Sequence, residues 1–157
     1  MKKWYLIKTK PRQEKIAVVN LQNQNYHVYC PHTKINKKSV ILFPGYLFIQ
    51  LDEELQDWSP IRSTKGVVNF VRFGLSYAKI SDNVIQIIQN NEVSTLEKFK
   101  NLNKFKSGDK VEITEGVFKN CVGIFNTFKS DERVILLLSL MGQQQSIDLD
   151  KKSIIGL

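Results

Sequence analysis

Cysteine, histidine and long apolar runs are all scarce in this chain. Its 157 residues include two cysteines, Cys30 and Cys121, and two histidines, His27 and His32. Two cysteines so far apart cannot form a disulfide framework, which predicts a reduced, cytoplasmic protein. No run of about 18 apolar residues is present, so no membrane span is expected. Charged residues interrupt the first apolar stretch too early for a secretory signal.

The patterns of common catalytic and metal sites are missing as well. The sequence has no glycine-rich run ending in Gly-Lys-Ser or Gly-Lys-Thr, no Ser–His–Asp arrangement and no evident carboxylate pair. His27, Cys30 and His32, with Cys121 as a fourth soft ligand, fit no standard zinc spacing. The sequence therefore predicts a binding protein without metal or cofactor rather than an enzyme.

The excess of positive charge lies in the first two thirds of the chain. Residues 1–103 contain 15 Lys and Arg against 8 Asp and Glu, whereas residues 104–157 contain 8 against 7. This asymmetry predicts two modules with different partners, of which the basic one suits a polyanion such as nucleic acid. The alternative is a solvated surface that is basic without binding anything.

Apolar runs and turn residues predict two domains. An α+β domain of helices packed on a sheet is expected over 1–91, followed by a linker over 92–103 and a second domain over 104–157. Within the first domain, strands are expected at 3–9, 26–30, 46–51 and 66–73, and helices at 11–24 and after Ser81. Residues 33–40 predict a basic loop or hairpin tip. In the second domain, short apolar runs bounded by glycines predict barrel strands near 109–114, 121–127, 133–140 and 144–149.

Several segments, in this order and spacing, resemble the NusG family of transcription elongation factors. They are Trp4-Tyr5, 43–48 (FPGYLF), 64–67 (TKGV) and 70–74 (FVRFG). The tail from Gly108 resembles a KOW domain, which is an SH3-like β-barrel. Within the family, the segments 70–74 and 113–118 (ITEGVF) are most similar to the specialised antitermination factors of RfaH type.

The resemblance implies a monomer that binds the clamp helices of RNA polymerase and exposed non-template DNA. Such a factor suppresses pausing and termination, and its KOW domain recruits a small-subunit ribosomal protein or, in general NusG proteins, Rho. Two alternatives stay open. One is a general NusG-like elongation factor without DNA sequence preference, and the other is a ribosome-associated KOW protein that binds RNA.

Polymerase-binding residues follow from the resemblance and from strand geometry. Tyr46 and Phe48 are two apart on a predicted strand, so they share one face. That face corresponds to the apolar pocket for the clamp helices, although a plain core strand has the same pattern. Trp58 and Ser59 occupy the segment that contacts the polymerase gate loop in RfaH-type proteins.

The candidate DNA-binding residues combine cations with amides around the first predicted helix. Cations bind phosphates, and Asn or Gln amides pair with base edges. The alternative is an ordinary solvated helix face. The candidates are Lys10, Arg12, Gln13, Lys15, Asn20, Gln24, Thr64 and Lys65.

The tail sequence is compatible with two folds. RfaH-type tails also form a helical hairpin that masks the polymerase site, and residues 133–141 (RVILLLSLM) suit a helix as well as a strand. Gly123 favours the barrel, because glycine inside a helix costs about 1 kcal/mol relative to alanine. We expect the barrel to form, with the helical hairpin as the alternative in the free protein. The resemblance suggests Arg133 as the tail arginine of an interdomain ion pair, but the partner position is apolar, Val40 or Ile41.

Overall fold

The computed structural model describes residues 1–54, 57–93 and 117–155, with side-chain environments in 1–54, 57–91 and 121–142. The N-terminal strands and helices are β1 (Lys2–Thr9), α1 (Glu14–Asn23), β2 (His27–Tyr29), β3 (His32–Ile35), β4 (Lys38–Ile41), β5 (Tyr46–Asp52), α2 (Ser59–Arg62), β6 (Val67–Phe70), β7 (Arg72–Phe73), β8 (Ser76–Tyr77), β9 (Lys79–Ile80) and α3 (Asp82–Val93). Two tail helices follow, α4 (Val117–Asn126) and α5 (Ser130–Ile155).

An antiparallel sheet forms the centre of the N-terminal part. Its strand order is β2-β5-β1-β6, and β9 pairs with the first half of β1. The β1–β5 register pairs Leu6 with Phe48 and Lys8 with Tyr46. This α+β arrangement confirms the predicted fold class of the first domain.

The central strand β1 is buried on both of its faces. Tyr5 and Ile7 belong to a cluster that includes Ala17 and Leu21 of α1. Trp4 and Leu6 belong to a second cluster with residues of α3 and the tail helices. A strand covered on both faces explains why the sequence of β1 is a continuous apolar run instead of an alternation.

Helix α1 begins later than predicted. Its first residue is Glu14, because Arg12 has a φ of 62° and turns the chain between β1 and the helix. A residue in the left-handed region cannot continue a right-handed helix, so Pro11 belongs to the turn and not to the first helical turn. The buried helix positions are Glu14, Ala17 and Leu21.

Three further N-terminal predictions have definite outcomes. Residues 33–40 form the β3–β4 hairpin, where Asn36 and Lys37 both have positive φ, as the two central positions of a type I′ turn require. The single strand expected at 66–73 is instead split into β6 and β7, and β7 forms its own small hairpin with β8. The backbone N–H of Val84 bonds the Ser81 hydroxyl at 3.4 Å, which confirms Ser81 as the cap of α3.

The tail has the helical alternative and not the barrel. The stretches 121–127 and 133–140, expected as strands, lie mainly in α4 and α5, and 144–149 lies within α5. The strand expected at 109–114 lies outside the described residues, as do most of the linker positions 92–103. Buried tail residues recur at helical spacing, three and four apart, and this stripe covers the second face of the sheet. The stripe contains Cys121 and Ile124 on α4 and Arg133, Leu137, Leu140 and Met141 on α5.

Gly66 allows α1 to lie against the loop before β6. Its φ is 94°, and a Cβ there would be 2.8 Å from the backbone nitrogen of Ala17 and 3.0 Å from the carbonyl oxygen of Gln13. Both neighbours are backbone atoms and cannot move aside easily. The close approach therefore requires glycine.

We predict that Gly66→Ala destabilises the protein more than Gly74→Ala does. Gly74 also has a positive φ, of 64°, but a Cβ there would meet nothing within 4 Å. Gly74→Ala should lower the free energy of unfolding by only about 1–2 kcal/mol, the cost of a left-handed backbone conformation for a residue with a Cβ. Gly66→Ala should lower the free energy of unfolding by roughly 1–3 kcal/mol more than that, because the added Cβ overpacks against backbone atoms. Urea unfolding of the full chain measures both, and equal losses would contradict the close-contact explanation.

Candidate functional site

An aromatic and aliphatic surface lies on the face of the sheet that the tail helices cover. Phe48 is fully buried there, 5.9 Å from the ring of Phe43 and 6.1 Å from that of Tyr29. Tyr46 is half-buried and packs against the same cluster. The structure therefore brings the two predicted residues to one face, as their spacing required. We call this surface, formed by Leu6, Leu42, Phe43, Tyr46 and Phe48, the masked face.

The loop that leads into Tyr46 is held by Glu14, which sequence reasoning missed. The backbone N–H of Gly45 donates to the Glu14 carboxylate at 3.0 Å, and the Gly45 carbonyl accepts from the backbone N–H of Thr9 at 2.8 Å. Glu14 is only 8% exposed. A glutamate at a buried helix position was the available signal, because a buried carboxylate needs a donor nearby.

Arg133 joins the tail hairpin to the masked face. Its Nε donates to the carbonyl of Leu42 at 2.8 Å, across 91 positions of sequence. Its Nη1 donates to the carbonyls of Thr127 and Phe128 at 2.9 and 3.0 Å. The residue is 3% exposed, and burial lowers the pKa of its guanidinium. Among the described residues Arg133 is in no salt bridge, so backbone carbonyls and not a carboxylate hold its guanidinium.

Cys121 marks the same interface from the tail side. Its side chain is fully buried in the cluster that includes the masked face, and burial raises the pKa of its thiol. A thiol reacts through its thiolate, so the closed hairpin should protect Cys121 from thiol reagents.

A second surface surrounds the start of α1 and the loop before β6. The backbone N–H of Lys10 donates to the carbonyl of Gly66 at 2.9 Å, which places Lys10 beside Lys65. The side-chain amide of Gln24 donates to the hydroxyl of Thr64 at 2.9 Å. Lys10, Arg12, Gln24 and Lys65 are exposed, whereas Thr64 is 6% exposed and supports the loop. We call this surface the α1 surface.

The remaining DNA-binding candidates differ in position. Gln13 and Asn20 lie on the same helical stripe as Gln24, although the Asn20 amide donates to the carbonyl of Ile16 at 2.8 Å in its own helix. Lys15 lies on the other side of α1, where it lines a cleft with Val40 of β4 and Phe128 of the tail. Lys15 is therefore not part of the α1 surface.

Trp58 and Ser59 are separate from the masked face. The Trp58 ring lies 4.8 Å from Tyr5 and 5.7 Å from Phe70, on the side of the sheet that packs against α1. Ser59 is exposed at the start of α2, and its backbone N–H donates to the Asp57 carboxylate at 2.9 Å. The four polymerase-binding candidates thus lie on two surfaces.

The described ranges contain neither a candidate metal site nor a membrane-spanning helix. No group of three or more His, Cys, Asp or Glu side chains there could hold a metal ion. His27 packs its ring 5.4 Å from Trp4, and Nδ1 of His32 lies 2.9 Å from the carbonyl of Cys30. No helix in the described ranges combines the length and apolarity needed to cross a membrane.

Comparison with known proteins identifies the family. A sequence model described as "Transcription termination factor nusG" matches residues 2–89. The chain belongs to the NusG family. It is thus a NusG-like transcription termination/antitermination factor, in a family of transcription factors and not of enzymes.

Individual NusG relatives cover nearly the whole chain. The transcription termination/antitermination protein NusG of Thermus thermophilus is 28% identical, covering 97% of this chain and 97% of that protein. The NusG of Chlamydia trachomatis is 26% identical over 94% of this chain and 91% of its own length. A solved structure described as domain interaction in Thermotoga maritima NusG covers 57% of this chain and 56% of its own, with a TM-score of 0.47 and 21% identity.

We predict that Arg133→Met opens the tail hairpin of this NusG-like protein. Methionine keeps apolar bulk but leaves the carbonyls of Leu42, Thr127 and Phe128 without their donor. Hydrogen bonds to charged groups contribute about 1.5–3 kcal/mol each, so the closed state should lose at least about 2 kcal/mol. In a Cys30→Ser background, the rate of Cys121 modification by a thiol reagent should rise about 30-fold or more.

The matched control is Lys129→Met, which removes an exposed cation of the same hairpin. Lys129 is paired with Glu132 at 3.9 Å, with side chains 80% and 55% exposed. Such a pair contributes little, so Cys121 protection should not change. A similar rate increase in both variants would show that Arg133 has no special role at the interface.

Proposed function

We propose that this protein is an antitermination factor of RfaH type, which binds the clamp helices of RNA polymerase through the masked face. The observation that carries the proposal is that α4 and α5 pack on that face in the free chain. Suppression of pausing and termination then follows from holding the clamp closed over the DNA. We propose that the released tail forms the KOW barrel and recruits a small-subunit ribosomal protein or Rho.

The packing of the masked face supports a helical partner. A groove lined by aromatic and aliphatic side chains is a common binding site for amphipathic helices. Here two such helices already occupy it, with Leu137, Leu140 and Met141 at the spacing of one helical face. Clamp helices would compete with α4 and α5 for the same apolar contacts, so polymerase would bind only the open form.

Several features keep the closed state only moderately stable. Gly123 and Gly142 both lie inside tail helices, where each costs about 1 kcal/mol relative to alanine. We call the hydrogen bonds from Arg133 to the carbonyls of Leu42, Thr127 and Phe128 the latch, because they hold the tail helices on the masked face. A switch requires two states within a few kcal/mol of each other, and these features are consistent with that requirement.

The α1 surface supports the second half of the proposal, contact with the exposed non-template strand. Lys10, Arg12 and Lys65 offer cations for phosphates, and the amides of Gln13 and Gln24 lie beside them for base edges. The surface is exposed while the tail is closed. DNA can therefore be bound before the masked face is released.

The helical tail separates this proposal from a general NusG-like factor. A factor without regulated access would leave its polymerase face uncovered, whereas α4 and α5 cover it here. The gate-loop contact through Trp58 and Ser59 belongs to the same proposal, on a surface separate from the masked face.

We predict that the double variant Gly123→Ala/Gly142→Ala weakens binding to core polymerase. A Cβ at Gly123 would meet only a leucine methyl at 3.9 Å, and one at Gly142 would meet nothing within 4 Å. The helices should gain about 2 kcal/mol, which lowers the open population and the apparent affinity about 30-fold. Cys121 modification should slow in parallel. An unchanged polymerase affinity with slower modification would show that polymerase binds elsewhere.

Tyr46→Ala in the Arg133→Met background tests the masked face itself. Arg133→Met alone should strengthen polymerase binding, and adding Tyr46→Ala should weaken it again by tenfold or more. Tyr46 is the better target than Phe48, because truncating a fully buried phenylalanine costs about 3–5 kcal/mol of stability. Ile135→Ala, at a tail position 61% exposed, is the control and should have no effect.

We also predict that Lys10→Gln and Lys65→Gln reduce the salt dependence of recruitment to transcription complexes with an open bubble. Each lost contact to a single-strand phosphate should reduce the slope of log K against log salt by about 0.7. Lys15→Gln removes the same charge from the opposite side of α1 and should leave the slope unchanged. Equal effects of all three variants would indicate general charge attraction and not a defined surface.

A further inference from the structure

We infer a second nucleic-acid site, formed by Arg62, Arg72 and Tyr77, which binds a phosphate of single-stranded DNA while an adjacent base stacks in the cleft beside Trp58. The inference rests on the proposed DNA contact and extends it to residues outside the α1 surface. Three features of the structure support this site: two converging arginines, an aromatic cleft beside them, and continuity with Lys65.

Two guanidinium groups converge on one phenol. Nη2 of Arg62 donates to the Tyr77 hydroxyl oxygen at 2.8 Å, and Nη2 of Arg72 donates to the same oxygen at 3.3 Å. Arg72 also lies over the Tyr77 ring, with its Cζ 4.7 Å from the centroid. Because this oxygen accepts from both arginines, it holds the two guanidinium groups side by side. The group presents donors in a geometry that suits phosphate oxygens.

The charge of this group is not balanced by acids. Among the described residues neither Arg62 nor Arg72 has a carboxylate within salt-bridge distance. Two like charges held on one neutral oxygen repel each other, and an anion between them would relieve that repulsion. Both arginines are exposed, so a phosphate can reach them without any rearrangement of the fold.

An aromatic cleft adjoins the arginines. It is lined by Tyr5, Trp58 and Tyr77, with Leu75 completely exposed at the tip of the β7–β8 hairpin. The Trp58 ring lies 5.8 Å from Tyr77 and stacks at 5.7 Å on Phe70, which fixes its orientation. Bases stack on such rings for about 1–3 kcal/mol each, without requiring a particular sequence.

Two acidic residues, Glu53 and Asp57, also line the cleft. Glu53 accepts from the Tyr5 hydroxyl at 2.6 Å and pairs with Lys79 at 3.2 Å, and these contacts lower the pKa of its carboxyl. Asp57 accepts from the backbone N–H of Ser59, which lowers the pKa of its carboxyl as well. Both stay negative at neutral pH. Because neither acid is within salt-bridge distance of Arg62 or Arg72, we expect the phosphate at the arginines and an uncharged base over the rings.

The new site is continuous with the α1 surface. Arg62 ends α2, and Lys65 follows three residues later, so the two backbones lie within about 10 Å. Thr64, between them, accepts from the Gln24 amide at the end of α1 and donates to the carbonyl of Pro60, which holds this segment in place. One short single strand can therefore contact Lys65 and Arg62 together.

The test uses the fluorescence of Trp58 in the full chain. The protein has two tryptophans, so Trp4→Phe leaves Trp58 as the only one. Titration with an eight-nucleotide single-stranded DNA should quench Trp58. The variant Arg62→Gln/Arg72→Gln should lose tenfold or more in affinity, and its salt slope should fall by about 0.7, for one single-strand phosphate. Lys34→Gln/Lys129→Gln, which removes two exposed cations elsewhere, should do neither.

Tyr77→Phe provides a variant without any change of charge. It removes the hydroxyl that aligns the arginines, so affinity should fall severalfold while the fold and the net charge are kept. Circular dichroism of each variant checks that it is folded.

Three results would overturn the site: no quenching of Trp58 by DNA, the same loss of affinity in the Lys34/Lys129 control, or the same quenching of Trp58 by inorganic phosphate alone. The titration contains no polymerase. Failure of Tyr46→Ala to weaken clamp binding would therefore refute the proposed function without changing the result of the DNA titration. Likewise, absence of Trp58 quenching would refute the second site without changing the result for clamp binding.

Discussion

The apolar second face of the sheet is the constraint on which the rest of the structure depends. Strand β1 presents Tyr5 and Ile7 to α1 and Trp4 and Leu6 to the opposite side, so both sides need a cover. A face of this kind, left in water, would form an unusually large apolar patch. Helices α3, α4 and α5 supply the cover in the free chain. In the proposed function, the same requirement makes the face a binding site once the tail leaves, because only another apolar partner can replace the lost contacts.

The latch at Arg133 suits a cover that has to be removed. Its hydrogen bonds to the carbonyls of Leu42, Thr127 and Phe128 satisfy a buried guanidinium without burying a carboxylate. Breaking a buried ion pair leaves two unpaired charges, whereas here opening exposes one cation and three carbonyls that water can solvate. Arginine also stays protonated at neutral pH, so pH changes in that range should not control the latch.

The sequence predicted the N-terminal strands and helices well, because their signals are local. The alternation of Tyr46 and Phe48, the Ser81 cap and the β3–β4 hairpin each depend on a few neighbouring residues. The start of α1 was missed because Arg12 adopts a positive φ that its residue type does not indicate. The fold of the tail was ambiguous because the sequence of 133–141 suits a helix as well as a strand. Its helical form is decided by contacts with the masked face, which no local pattern contains.

The segment from α2 to Gly66 places the two proposed nucleic-acid surfaces relative to each other. Ile61 is buried in the core on the α1 side, Thr64 bonds Gln24, and Gly66 fits against Ala17, so the segment is fixed at three points. The masked face lies on the other side of the sheet and shares none of these contacts. The proposed DNA binding can therefore occur while the tail is closed. That separation allows an order of events in which contact with the exposed strand concentrates the protein at polymerase, and the clamp then competes with the tail for the masked face.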